Sequence, residues 1–153
     1  MTATIAPAVP TTDSERFVAA WEEFFRTVQR AKGRANQAQG EGLSLSQFLA
    51  LQPLAEGAQS VRTLAEAAGI AAPTATRMLD GLERDGLVTR TPDELDRRCV
   101  RVSLTASGRR ALAHKQGEVD AARARIAASL EPEERAQAAM LLGRLAEAIE
   151  AEL

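Results

Sequence analysis

Residues 60–86 read SVRTLAEAAGIAAPTATRMLDGLERDG. Leu64, Ala67 and Ala68 recur at helical spacing, which predicts a short helix with one small apolar face. Ser60 is a suitable N-cap for it. Gly69 ends it, because a helix C-terminus often needs a positive φ that glycine adopts without steric cost. Ile70 follows as an apolar residue able to pack under two helices. A second helix opens at Pro73, whose missing N–H costs nothing in a first turn. Ala75, Met78, Leu79 and Leu82 make its apolar face, and Gly86 is its stop. Thr74, Thr76, Arg77, Gly81 and Arg84 lie off that face. Two helices crossing steeply over a short turn bring their backbones close, and Ala65 and Gly69 keep side-chain bulk out of the crossing. A generic helical hairpin shows the same periodicity but does not require this order of small residues.

The next residues turn the pair into a larger unit. Leu87-Val88-Thr89-Arg90 is β-prone, and residues 91–98 are turn-rich and charged. From Cys99 to Leu104 the chain alternates, with Val100, Val102 and Leu104 on one face and Arg101 and Ser103 on the other. This is a hairpin with two arginines, Arg97 and Arg98, at its tip. Thr105 caps the helix that follows. A helix-turn-helix followed by such a hairpin is a winged helix-turn-helix.

At this point the chain resembles a known family. Leu64, Ala65, Gly69, Ile70, Thr74, Ala75, Thr76 and Arg77, together with LERDGLVTR at 82–90, look like the winged helix-turn-helix of MarR-type transcription regulators. The stretch DRRCVRVSLTASG at 96–108 fits the family's wing pattern, D-x-R-x-x-x-V-x-L-T-x-x-G, at every fixed position. That pattern is specific, whereas a lone helix-turn-helix is not. The resemblance reaches nearly the whole chain beyond its first dozen residues. It implies a homodimer bound to pseudopalindromic double-stranded DNA. Such proteins usually repress, and often release DNA when a small molecule binds or a cysteine is oxidised.

Composition agrees with that class. With 153 residues the chain has the length of one domain with a modest core. At 45% hydrophobic and 26% charged it reads as an ordinary globular protein. The net charge of −2 excludes a chain-wide nucleic-acid-binding surface. Residues 60–110, however, hold nine arginines against seven carboxylates, so the positive share falls where phosphate contacts would lie. One cysteine excludes an intrachain disulfide and suits a reducing cytoplasm. No run is long and apolar enough to span a membrane. Residues 1–12 read as a disordered or loosely packed arm.

Around the central unit, Thr12 to Glu15 forms a capping-box start. Phe17, Trp21, Phe24, Phe25 and Val28 then carry a first helix to about Arg34. Its aromatic cluster reads first as core or interface packing, and second as the wall of a cavity for an aromatic or phenolic anion, with Trp21, Phe24 and Phe25 as its residues. Residues 35–42 read as a loop. Ser44 and Gln47 make another capping box, and Pro53 bends or shortens the helix they start. After Thr105 a long helix runs to about Leu130 on a stripe of Leu112, Val119, Ala122, Ile126 and Leu130. A last helix opens at Pro132 and carries Leu142, Leu145, Ile149 and Leu153.

The expected architecture is mainly α with a small β-hairpin wing. A single MarR-like domain spans residues 13–153, with 43–108 as the winged helix-turn-helix and 13–34 and 105–153 as dimerisation helices. The expected DNA-binding residues are Ser60, Pro73, Thr74, Thr76, Arg77, Arg84, Asp96, Arg97 and Arg98. The resemblance makes Arg98 the residue inserted in a minor groove and Arg97 a phosphate contact, with Asp96 holding Arg98 in direction.

No catalytic constellation is visible, so no enzyme and no cofactor is expected. His114 is the single histidine, which excludes a multi-histidine metal site, and it reads as a surface or pocket-edge residue. Cys99 at the wing base reads as a plain strand cysteine; the redox-sensing branch of the family carries its cysteine in the first helix, and this chain has none there. The other reading is a winged module that binds a ligand or protein and has lost DNA binding. Arg77, Arg97, Arg98 and the two threonines argue against it.

Overall fold

The computed structural model describes residues 12–37, 42–93 and 100–152. Their elements are mainly helical. Helix α1 spans Asp13–Gln37, α2 Leu45–Leu51, α3 Val61–Ala68, α4 Ala72–Arg84, α5 Ala106–Ala128 and α6 Pro132–Glu152. Three strands, β1 Gln59–Ser60, β2 Val88–Pro92 and β3 Val100–Leu104, form one antiparallel sheet in the order β1-β3-β2. Residues 1–11, 38–41, 94–99 and 153 lie outside the described part, and with them most of the expected arm, the expected wing residues Asp96, Arg97, Arg98 and Cys99, and Leu153 of the terminal stripe.

Local chemistry sets most helix ends. At α1 the Thr12 N–H donates to Glu15 Oε2 at 3.0 Å, and the Glu15 N–H returns to Thr12 Oγ1 at 3.2 Å. The helix continues to Gln37, three residues past the expected end at Arg34, so residues 35–37 are helix and not loop. At α2 the Ser44–Gln47 capping box is complete. Pro53 cannot donate to a preceding carbonyl, so the α-helix stops at Leu51 and a 3-10 turn, Gln52–Ala55, carries the chain on. Gly69 caps α3 at φ +63°. A Cβ at Gly69 would meet nothing, so its backbone freedom and not the helix crossing requires glycine.

The buried residues close one small core inside the winged part. Leu43, Phe48, Leu51, Leu54, Leu64, Leu79, Leu82, Val88, Val102, Leu104 and Leu112 form it, drawn from the residues before α2, α2, the 3-10 turn that follows it, α3, α4, the sheet and the start of α5. Fully burying side chains of this size stabilises by ~1.5–3 kcal/mol each before chain entropy is subtracted. On α3 the buried face is Leu64, Ala65 and Ala68, while Ala67 is exposed. Leu64 and Ala68 of the expected face are therefore buried, and Ala65 takes the place expected for Ala67. Ala65 is buried, 4% exposed. Helix α4 starts at Ala72, one residue before the expected Pro73, and buries Ala75, Leu79 and Leu82. Val100 is exposed although its partners in alternation, Val102 and Leu104, are buried, because it pairs with Pro92 at the outer end of the hairpin.

Strand β1 has no counterpart in the sequence reading. It is only two residues long, and both pair with β3, Gln59 opposite Val102 and Ser60 opposite Arg101. A two-residue strand carries no periodicity to read. Helix α5 ends at Ala128 and not at Leu130, and α6 begins where Glu131 closes its backbone N–H on Glu134 Oε2 at 2.8 Å.

The terminal helices leave a broad apolar surface open in the single chain. Ile126 is 70% exposed, and Phe24, Met140 and Leu142 are each 57% exposed. No residue of α6 is buried.

Candidate nucleic-acid interface

Helix α4 is anchored by Ala75, Leu79 and Leu82 in the core, and this turns Thr74, Thr76, Arg77, Asp80, Glu83 and Arg84 toward solvent. Arg77 and Arg84 stand two turns apart on nearly the same face, roughly 10 Å along the axis. Among the described residues neither side chain has a hydrogen-bond or ion-pair partner, and the Thr74 hydroxyl has none either. The Thr76 hydroxyl donates to the Ala72 carbonyl at 3.0 Å, so its proton is engaged within the helix and its methyl and lone pairs remain outward. Pro73 lies in the first turn behind Ala71, an N-cap without a capping side chain.

Ser60 serves the fold more than the surface. Its Oγ accepts the Thr63 N–H at 3.1 Å and shares a hydrogen bond with Thr63 Oγ1 at 2.9 Å. It thereby caps α3 while pairing in β1.

The wing is tied to α4 and α5 at its base. Thr105 Oγ1 donates to the Gly86 carbonyl at 2.7 Å, accepts the Gly108 N–H at 2.9 Å, and its backbone N–H reaches the Leu87 carbonyl at 3.0 Å. On β2, Arg90 Nη1 donates to Asp80 Oδ1 at 2.6 Å and Glu83 Oε2 at 3.0 Å. Its Nη2 donates to the Thr76 carbonyl at 3.2 Å, and its backbone N–H to Glu83 Oε1 at 3.1 Å. On β3, Arg101 Nη2 donates to the Ala58 carbonyl at 2.6 Å, and its Nε lies 3.6 Å from Asp93 Oδ2. Sequence reasoning missed Arg90 as a structural residue. The signal was an acid pair at i and i+3 on one helix with an arginine on the next strand.

The expected ligand residues are split. Trp21 stacks between Phe17, at 6.1 Å between ring centroids, and Phe25, at 5.4 Å. An open groove of about 440 Å³ lies between α1 and α6, lined by Phe17, Val18, Trp21, Leu145, Ala148, Ile149 and Glu152. Trp21 lines it; Phe24 and Phe25 do not. Glu152, its one charged lining residue, disfavours a carboxylate guest. His114 is a surface residue, 3.7 Å from Glu118. The Lys115 ammonium bonded to Glu118 holds that carboxyl below its ordinary range. Among the described residues no group of histidine, cysteine, aspartate and glutamate is placed to hold a metal. Nor is any described helix long and apolar enough to cross a membrane.

This arrangement has a counterpart among known proteins. The family model for the MarR family matches residues 43–100, from the loop before α2 to the start of β3. Residues 43–100 are a MarR-family segment. Solved structures align with it well beyond the matched segment. The transcriptional regulator BldR from Sulfolobus solfataricus superposes with a TM-score of 0.76 at 22% identity, over 92% of this chain and 99% of that one. BpsR from Bordetella bronchiseptica, whose DNA binding is regulated by 6-hydroxynicotinic acid, gives 0.69 at 25% identity, over 84% and 98%. The PcaV transcriptional regulator from Streptomyces coelicolor gives 0.68 at 26% identity, over 85% and 97%. The MarR-like architecture therefore includes α1, α5 and α6 as well as the winged part.

Proposed function

We propose that this chain is a MarR-family, sequence-specific regulator of transcription that binds double-stranded DNA as a homodimer in the cytoplasm. The observation that carries the reading is the outward face of α4, where Thr74, Arg77 and Arg84 stand exposed, with no side-chain partner among the described residues, on a helix anchored from behind by Ala75, Leu79 and Leu82. Arginine reads guanine in bidentate fashion, and the first turns of such a helix enter the major groove. Arg97 and Arg98 extend the contact to the backbone and the adjacent minor groove. Repression is the expected outcome of occupying a promoter.

The apolar surface that α1, α5 and α6 leave exposed supports the dimer. A second copy covers it and sets two α4 helices against two half-sites, which makes the operator pseudopalindromic. The effector is a small aromatic molecule that alters the packing of α1 against α6 around Trp21. BpsR, whose DNA binding is regulated by 6-hydroxynicotinic acid, supports an aromatic ring as the effector, but Glu152 in this groove opposes the carboxylate that such an acid carries, so the ring proposed for this chain is uncharged. Quenching of Trp21 fluorescence together with loss of DNA binding tests the effector, using neutral phenols against aromatic carboxylates.

The function is tested by binding to the DNA flanking this protein's own coding region, at two salt concentrations. Nanomolar binding that weakens steeply with salt and exceeds binding to a scrambled duplex supports it. Equal, weak binding to both duplexes favours the winged module without DNA function.

A further inference from the structure

Helix α4 carries two arginines and two acids on its outward side, and their spacing invites self-neutralisation. Asp80 and Arg84 stand at i and i+4 with the acid N-terminal, the favourable order for an intrahelical pair. Arg77 and Asp80 stand at i and i+3, also within reach. Neither pair forms. Instead Asp80 and Glu83 both turn to Arg90 on β2, at 2.6 and 3.0 Å, and Arg90 is fixed further by the Thr76 carbonyl. The three acceptors, Thr76, Asp80 and Glu83, run along one edge of α4 at i, i+4 and i+7. Arg90 is the most enclosed member, its side chain 22% exposed against 50% for Asp80 and 40% for Glu83.

We propose that Arg90 is a positioning residue for DNA recognition: it sequesters the two carboxylates of α4 and so leaves Arg77 and Arg84 unpaired for nucleic acid. Without it, two acids face the phosphates and compete for the reading arginines. The charge of the helix face then falls, although no DNA-contacting residue has changed. This inference rests on the DNA-binding reading above.

The test is a double-mutant cycle on a 30-bp duplex selected by the wild-type protein from a randomised pool. Arg90→Gln is uncharged and keeps a donor for the Thr76 carbonyl. It weakens binding about tenfold at 50 mM salt, and the deficit shrinks to about threefold at 300 mM as the acids are screened. Adding Asp80→Asn and Glu83→Gln restores affinity to within about threefold of wild type. Their effect in the Arg90→Gln background exceeds their effect in wild type, the coupling that a shared network produces. The thermal midpoint lowered by Arg90→Gln does not recover with them, which separates masking of charge from bracing of the helix. Additive effects, or a deficit constant with salt, overturn the inference. If Arg90→Gln alone does not fold, the triple variant decides: binding within about threefold of wild type supports masking, and a loss beyond tenfold rejects it. If the wild type selects no duplex, the DNA-binding reading fails. If it selects one and Arg90→Gln binds it equally, only this inference fails.

Discussion

Gly108, in the first turn of α5, packs against Leu87 with no room for a side chain. A Cβ placed there would overlap the Leu87 carbonyl oxygen and press on Leu104. The same carbonyl accepts the backbone N–H of Thr105 at 3.0 Å, so it cannot move without breaking the joint between wing and helix. Gly108→Ala therefore destabilises by ~3 kcal/mol or more, although alanine is the better helix former by about 1 kcal/mol. The control is Gly81→Ala in α4, where a Cβ meets nothing and the change stabilises by ~0.5–1 kcal/mol. Urea unfolding of the two variants checks the opposed signs.

The two threonines of α4 are predicted to behave differently. Thr76 has given its proton to the Ala72 carbonyl, whereas the Thr74 hydroxyl has no described partner. Thr74→Val should weaken specific binding by ~1 kcal/mol, the loss of one hydrogen bond. Thr76→Val should leave it nearly unchanged. Arg77→Ala should cost ~1–3 kcal/mol and relax preference at one base position. Anisotropy titrations against a duplex and its single-base variants measure all three; equal losses at both threonines reject the assignment.

On the wing, Arg98→Ala should weaken binding and reduce the salt slope by about one, as removal of one phosphate-neutralising charge does. Asp96→Ala should also weaken binding, although it removes a negative charge. We propose this sign because an aspartate two residues from an arginine can fix its direction by a charge-assisted hydrogen bond before DNA arrives. Tighter binding by Asp96→Ala rejects that role.

Ile126, Leu142 and Ile149 are exposed in the single chain at 70%, 57% and 42%. Placing Glu at Ile126 and Leu142 together should convert a dimer into a monomer at micromolar concentration, seen by sedimentation velocity. An unchanged sedimentation coefficient removes these positions from the dimer contact.

The winged fold was legible because its punctuation is local. Ser44 with Gln47, Gly69, Gly86 and Thr105 each act on a few neighbouring residues, and each stands where its chemistry predicts. What stayed hidden depends on distant partners. Strand β1 exists only because β3 offers it two pairing positions, and Gly108 matters only because Leu87 crosses beneath it. Arg90 reads as an ordinary strand residue until α4 is laid beside β2. Ala67 takes the place of Ala65 in the face read from the α3 sequence, because alanines on both sides give the period little contrast. At the interface, exposure of Arg77 and Thr74 followed from the period of α4, but the internal bond of Thr76 did not.

The central claim is that two copies of this chain read one DNA site with paired α4 helices. In-vitro selection by the wild-type protein from a pool of randomised duplexes tests it most directly. The account predicts that the selected sequences share an inverted repeat whose half-sites are centred about one helical turn, roughly 10 base pairs, apart. Selected sequences with no common motif, or with a single unrepeated half-site, would contradict it.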